Sequence, residues 1–309
     1  MVSSSYHPGI ESPAMAILQV GFPRSGNFWL HRVLDGLLRE AGRETRSFVS
    51  GHPIHAEAQT WTDLGGPDRA NMDVLDIAPA GCRFRIGRRF SEDVSDVGAY
   101  VRRASHVSTH SPWNAGSSAV LPLFERVVYV VRDPRDAVVS LANYNLTPYM
   151  RDAVQAPEAG PAEFVERRLE RLTAAWTRHV AGYLQHLAEL PLHVVFFERL
   201  VLDFDREVER LARHAELDVS AAGRRRVAQE TSFESLRTGA PEHVREGGTR
   251  HGRGVLTAEQ DRRARGIAGP LLELLGYAAD GGGTLPELPG SVAPAVLADA
   301  LARAAAAAD

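Results

Sequence analysis

The chain has 309 residues and a formal net charge of −4, which argues against a general nucleic-acid binder and confines any basicity to a local site. The N-terminus, MVSSSYHPGIESP, lacks a charged start followed by an apolar core, and no stretch approaches the about 18 consecutive apolar residues of a membrane span. The single cysteine, Cys82, excludes an internal disulfide, so a cytoplasmic protein in a reducing compartment is expected.

In chain order, residues 1–14 read as a disordered lead. The apolar run Ala16–Phe22 predicts a strand; it breaks at Pro23-Arg24-Ser25-Gly26-Asn27 and resumes as an amphipathic helix over Asn27–Ala41. Weaker strand signals follow at Arg83–Gly87 and around Val107, then a β-branched run at Arg126–Val131. Helices are predicted at Pro134–Tyr144, Pro161–Leu190, Asp203–Ala215, Ala221–Glu230 and Ala258–Leu275, with a further strand at His193–Phe197. Asp280–Pro289 reads as a Gly/Pro linker, and Val292–Ala308 as an Ala-rich helix free to dock, dimerise or fray. Strands alternating with helices predict an α/β fold: a central parallel β-sheet flanked by helices on both faces. We assign one domain to residues 15–279, with residues 280–309 appended as linker and helix.

The strand–turn–helix at residues 16–41 suits phosphate, because the unsatisfied N–H groups of a helix start and the positive end of its dipole converge on one point. Gly26 permits close backbone approach and Arg24 adds a full charge. The loop differs from the G-x-x-x-x-G-K-[ST] of ATP- and GTP-hydrolysing enzymes: it is shorter, has one glycine, and has no lysine to offer. All 35 basic residues of the chain are arginine. A second strand end, Arg132-Asp133-Pro134-Arg135-Asp136, carries proline and acidic groups at a helix start.

Phe22-Pro23-Arg24-Ser25-Gly26-Asn27-Phe28-Trp29 resembles the 5′-phosphosulfate loop of the sulfotransferases, Y-P-K-S-G-T-T-W. The stretch YVVRDPRDAVVS, Tyr129 to Ser140, resembles the 3′-phosphate segment of that family, whose core is R-[ND]-P-x-D-x-x-[VA]-S. Four shorter pieces fall in the same order. Ser108-Thr109-His110-Ser111-Pro112 resembles the catalytic K-T-H-x-P, with Ser108 in place of the lysine, and Phe196-Phe197-Glu198-Arg199-Leu200 resembles Y-E-D-L. Thr231-Ser232-Phe233 matches T-S-F, and Arg245-Glu246-Gly247 resembles R-K-G. The resemblance spans roughly residues 16–260 and implies a cytosolic or bacterial type of sulfotransferase using 3′-phosphoadenosine 5′-phosphosulfate (PAPS) and releasing 3′,5′-ADP (PAP). Phosphate motifs near residues 25, 132 and 245 must then meet at one ligand, which supports the single domain.

The resemblance implies the site. His110 would be the general base, with Arg24 and Ser140 completing the catalytic group. Arg24, Ser25, Gly26, Asn27 and Phe28 would hold the 5′-phosphosulfate, and Arg132 and Ser140 the 3′-phosphate. Trp29, Phe197 and Thr231 would meet the adenine, and Arg245, Glu246 and Gly247 would clamp from a late loop. A core anchor on the first helix is the other reading of Trp29. Arginine replaces the loop lysine at position 24, Phe28 lacks a hydroxyl, and Phe197 lacks that of tyrosine. No metal is expected; His52, His55 and Glu57 are ligand types, but Pro53 breaks any shared helical register.

The acceptor is read as a hydroxylated small molecule (natural product, phenol, lipid or glycoside), with Trp61, Phe90, Trp113, Tyr144 and Tyr149 as candidate walls. The lysine-free, Arg/Ala-rich composition suggests a GC-rich bacterial genome and specialised metabolism. A P-loop-like nucleotide kinase and a non-catalytic nucleotide-binding relative stay as alternatives.

Overall fold

A sheet whose central strands are buried on both faces organises the chain, seen in a computed structural model that describes residues 16–61, 64, 67–147, 150, 157–239, 255–277 and 285–307. The strands are β1 (Ile17–Gly21), β2 (Asp73–Ala78), β3 (Gly81–Ile86), β4 (Phe90–Val94), β5 (His106–Thr109), β6 (Arg126–Val131) and β7 (Leu192–Phe196). They form one sheet in the order β4-β3-β2-β5-β1-β6-β7. Strands β2, β5, β1, β6 and β7 run parallel, as the strand–helix alternation predicts, while β3 and β4 add an antiparallel meander at one edge.

The meander was only partly legible. β4 reads Phe-Ser-Glu-Asp-Val and is mostly exposed, so it has no apolar pattern to recognise. β2 starts with a buried acid: Asp73 accepts hydrogen bonds from the backbone N–H groups of Val49 (2.9 Å) and Phe48 (3.2 Å). Those bonds make up for its burial and place a polar residue where alternation demands an apolar one.

Successive side chains of the central strands go to opposite faces. Leu18, Val20, Val107, Val127, Tyr129, Val131, Val194 and Phe196 enter one core; Ile17, Val128, Val130 and Val195 enter the other. The second core is closed by α1 (Asn27–Glu40). The first is closed by α3 (Pro161–Leu184), which follows α2 (Pro134–Asn145). Helix α3 stops before the expected Leu190; residues 185–190 form turns, and Pro191 bars the preceding residue from helical conformation.

Beyond β7 lie α4 (Phe197–Leu202), α5 (Phe204–His214), α6 (Ala221–Glu230) and α7 (Phe233–Gly239). Helices α5 and α6 join α1 on its face of the sheet. Gly36 lets α6 approach α1 closely, since a methyl there would sit 3.1 Å from Val227. Helix α8 (Ala258–Leu274) starts with a reciprocal capping box between Thr257 and Gln260. The Ala-rich α9 (Pro294–Ala306) docks within the chain: Ala304 packs with Ala174 of α3 and Ile267 of α8, and its carbonyl accepts a hydrogen bond from Arg178 at 2.9 Å.

Candidate functional site

The loop after β1 turns sharply, with Arg24 (φ 68°) and Gly26 (φ 97°) both in the left-handed region. The turn closes through the Ser25 N–H, which donates to the Phe22 carbonyl at 3.2 Å, and the Asn27 amide, which donates to the same carbonyl at 2.8 Å. A side chain at Gly26 would collide with Phe197 at 2.5 Å, so glycine is required both for φ and for space. Gly26 holds the N-cap position of α1 with no side-chain cap, and the first-turn N–H groups have no intrahelical acceptor.

Ser25 is fully buried, yet its hydroxyl has no hydrogen-bond partner among the described residues, and neither does Asn27 Oδ1. Such orphaned groups are rare in native interiors. The Ser25 hydroxyl stands beside a helix start and can donate together with the first-turn N–H groups, the donor set an oxyanion needs, whereas Asn27 Oδ1 can only accept.

Residues more than 100 positions away complete the cradle. Arg24 Nε donates to Ser140 Oγ at 3.3 Å, and its guanidinium lies 4.4 Å from the Tyr144 ring centre, both on α2. Arg132, at the end of β6, donates through Nη1 to the Arg24 carbonyl at 3.2 Å and lies 4.2 Å over the Phe197 ring. Strand register explains the meeting: β1 and β6 pair as far as Gly21 opposite Val130, so the two loops emerge side by side.

The start of α2 is locked from below. Asp133 caps it by accepting from the Arg135 N–H at 2.9 Å, and the Arg135 guanidinium bridges Asp133 (2.5 Å) and Asp261 (3.1 Å). Glu198 accepts from the Asp133 N–H and from the Tyr277 hydroxyl, both at 3.0 Å. Burial pushes its carboxyl up to about 7, even though the Asp133 N–H favours the carboxylate.

Aromatic side chains gather next to the loop. Trp29 lies 4.5 Å from Phe233, 5.7 Å from Phe197 and 6.0 Å from Phe204, ring centre to ring centre. Its indole N–H donates to the Thr231 carbonyl at 2.9 Å, while the Thr231 hydroxyl donates to Val227 at 2.8 Å. Trp29 is thus buried, and one group with Phe197, Thr231 and Phe233.

His110 follows β5 on the other side of β1. Its Nδ1–H donates to the Gly21 carbonyl at 2.7 Å, which leaves the Nε2 lone pair as the reactive position. Burial, aided by the nearby charges of Arg85 and Arg69, pulls the imidazole down to about 4, so it is neutral near pH 7. The backbone here is anchored from the core: His179 Nε2 donates to the His110 carbonyl at 3.2 Å, and the Tyr129 hydroxyl donates to His179 Nδ1 at 2.6 Å.

The structure therefore brings Arg24, Ser25, Gly26, Asn27, Arg132 and Ser140 together, with Trp29, Phe197 and Thr231 alongside and His110 on the neighbouring strand. The Phe28 ring is engaged elsewhere, 5.3 Å from the Arg69 guanidinium. Arg245, Glu246, Gly247 and Tyr149 lie outside the described residues, as do residues 1–14. His52 and His55 have separate partners, Glu92 at 3.7 Å and Asn71 at 2.8 Å. Glu198, His179 and Phe233 join the site without having been singled out from sequence. Phe233 and Glu198 had local signals, their places in T-S-F and in the stretch resembling Y-E-D-L.

A family model described as a sulfotransferase domain matches residues 15–259. Cytosolic sulfotransferase 1 of Danio rerio is 28% identical over 135 residues, covering 42% of this chain and 44% of that protein. Sulfotransferase 1B1 of Canis lupus familiaris is 23% identical over 231 residues, covering 72% of this chain and 66% of that protein. Both alignments therefore span less than two thirds of the relative's length. Among solved structures, mouse sulfotransferase SULT7A1 complexed with PAP aligns at TM-score 0.52 and 17% identity, covering 81% of each chain. Retinol dehydratase in complex with androsterone and inactive cofactor PAP aligns at TM-score 0.58 and 17% identity, covering 88% of this chain and 82% of that one. These two likenesses concern the fold.

Proposed function

The chain belongs to the sulfotransferase domain family, and we propose that it moves a sulfuryl group from PAPS to a hydroxyl of a small-molecule acceptor. The observation that carries this reading is the junction of Arg24, Arg132 and Ser140 at the start of α1, beside the buried, unpartnered Ser25 hydroxyl. The PAP in both solved neighbours and the androsterone in one support the choice of donor and a small-molecule acceptor.

PAPS supplies the activated sulfuryl group; the protein's own residues do the rest. The N–H groups of Gly26–Phe28 and the Arg24 guanidinium neutralise charge on the departing 5′-phosphate, where a lost donor costs about 10²–10³ in turnover. Arg132 and Ser140 hold the 3′-phosphate, with Arg245, Glu246 and Gly247 assigned to the same end. Trp29, Phe197 and Thr231 bind the adenine. His110 takes the acceptor's proton on Nε2, and its Nδ1–H bond to Gly21 keeps the ring aimed and stabilises the imidazolium. Arg85, a charge near His110, pairs with Asp76 at 3.1 Å, so the surroundings of the proposed base are not purely aromatic.

No helix among the described residues is long and apolar enough to cross a membrane. The reading extends to a cytoplasmic enzyme of bacterial specialised metabolism, on the cysteine usage and lysine-free composition. A homodimer stays part of the reading; helix α9 packs one stripe, Leu297, Ala300 and Ala304, within the chain and exposes its other face.

The test is transfer of labelled sulfuryl from PAPS across a panel of phenols, sterols and glycosides, run beside thermal-shift titrations with PAP, ADP and ATP plus Mg²⁺. Transfer with selective stabilisation by PAP is expected. Stabilisation by ATP and Mg²⁺ equal to that by PAP, with no transfer, would overturn the reading in favour of a kinase.

A further inference from the structure

Beneath the phosphate loop, on the sheet-facing side of α1, His31 and Asp35 stand one helical turn apart and meet His106 of β5. His31 Nε2 is 3.2 Å from one Asp35 oxygen, and His106 Nδ1 is 3.0 Å from the other. One donor atom from each residue lies within 4.8 Å of the other two. The imidazoles stack at 4.3 Å, and both are buried.

The hydrogen bonds around this group define which atoms face inward. Gln19 Nε2 donates to the Asn27 carbonyl at 2.8 Å, so the amide oxygen of Gln19 is the atom turned to His106 Nε2, at 3.1 Å. His106 must therefore carry its proton on Nε2. With Nε2 held by that bond, His106 presents Nδ1 to the Asp35 carboxylate at 3.0 Å, the position a bound cation would share with both. The Ser108 hydroxyl stands 3.4 Å from His31 Nδ1 and can accept a proton from it, which would leave Nε2 facing Asp35.

We propose that His31, Asp35 and His106 bind a divalent transition ion of the zinc class, a structural site that ties α1 to the sheet under the phosphate loop. Two nitrogens and a carboxylate are the donor set for zinc, cobalt or nickel rather than magnesium or calcium. Tetrahedral zinc with bonds of about 2.0–2.1 Å spaces its ligands by about 3.3 Å. His31 Nε2 stands 3.2 Å from one Asp35 oxygen and His106 Nδ1 3.0 Å from the other, so the carboxylate would reach the ion through both oxygens, with the side chains drawn in around it. Gln19 and Ser108 supply the outer hydrogen bonds that ligating histidines require.

A fourth position is open. A cavity of about 70 Å³ is lined by Phe28, His31, Arg32, Asp35, Asn71 and Met72, room enough for a few waters. The site is separate from the proposed transfer chemistry but touches it through Gln19 and Asn27.

The experiment uses the full chain, stripped with chelator and titrated with Co²⁺ or Zn²⁺. Expected are one equivalent of metal by elemental analysis, tetrahedral Co²⁺ bands in the visible spectrum, and a higher melting temperature. Asp35→Asn and His106→Gln should each weaken binding at least about tenfold, and Gln19→Leu about 10–100-fold. His52→Ala and His55→Ala should leave it unchanged. Absence of a bound equivalent in the unmutated chain would overturn the proposal and leave the cluster as an ion pair with a charged His106. Metal that persists in the Asp35 and His106 variants would overturn it too, by locating the ion elsewhere.

Discussion

Replacing Glu198 by glutamine should make the protein's stability less dependent on pH by an amount the structure fixes. The Glu198 carboxyl is buried between the Asp133 N–H and the Tyr277 hydroxyl, and burial raises it from 4.5 to about 7. Below pH 4.5 the group is protonated in both folded and unfolded chains and costs nothing. Between pH 4.5 and about 7 the unfolded chain has released the proton while the folded chain keeps it, so stability falls as pH rises. Above about 7 the loss is complete. At about 1.4 kcal/mol for each pH unit, the span amounts to about 3 kcal/mol. Glutamine keeps an oxygen for the Asp133 N–H and never ionises, so Glu198→Gln should gain about 3 kcal/mol over the wild type between pH 4.5 and pH 8. Urea unfolding at the two pH values measures this. Any altered bond to Tyr277 contributes equally at both and cancels. Asp73, pushed up by burial to about 6, titrates in the same window but is present in both proteins and cancels as well. A stability difference constant with pH to within about 0.5 kcal/mol would refute the reasoning and mean that Glu198 ionises normally.

Three further outcomes are expected. Arg132→Ala should weaken binding of PAP far more than of AMP in calorimetric titration; equal losses would move the 3′-phosphate to another group. Gly26→Ala should destabilise by at least about 1–2 kcal/mol in urea from the left-handed backbone alone, and combining it with Phe197→Leu should recover part of the loss, since the added methyl would stand 2.5 Å from that ring. His110→Ala should lower kcat by about 10²–10⁴ with PAP binding intact, and the acid limb of wild-type kcat/KM should fall near pH 4 rather than 6.5, as the imidazole is pulled down to about 4.

What could be read from sequence was what the chain encodes locally. The turn at residues 22–27 and the start of α2 carry proline, glycine and acid at positions dictated by backbone geometry, so their strand–loop–helix form was legible. The meeting of Arg24 with Ser140 was reachable only by resemblance, because 116 positions separate them and sheet order alone joins them. Glu198 fell in the stretch resembling Y-E-D-L without its role being legible, and His179 and the His31–Asp35–His106 group had no such route. Each works through a partner brought in by tertiary packing, and an isolated histidine or glutamate in a helix or strand looks like any other. Trp29 illustrates a different limit: one ring can be a buried anchor and a wall of the adenine site, and amphipathic spacing does not separate the two. The overrun of α3 past Leu184 shows apolar periodicity continuing through turns that Pro191 makes unavoidable.

The placement of β1 between β5 and β6 also bears on how such a protein diversifies. Arg24, His110 and Arg132 leave three adjacent rails of one lattice, whose spacing of about 4.8 Å is a property of the backbone and indifferent to side chains. The meander β3–β4 hangs from β2 on the His110 side, and its outermost strand β4 is mostly exposed, with little share in that gauge. Under the proposed transfer reaction, sequence change at this fringe would leave the three loops in alignment.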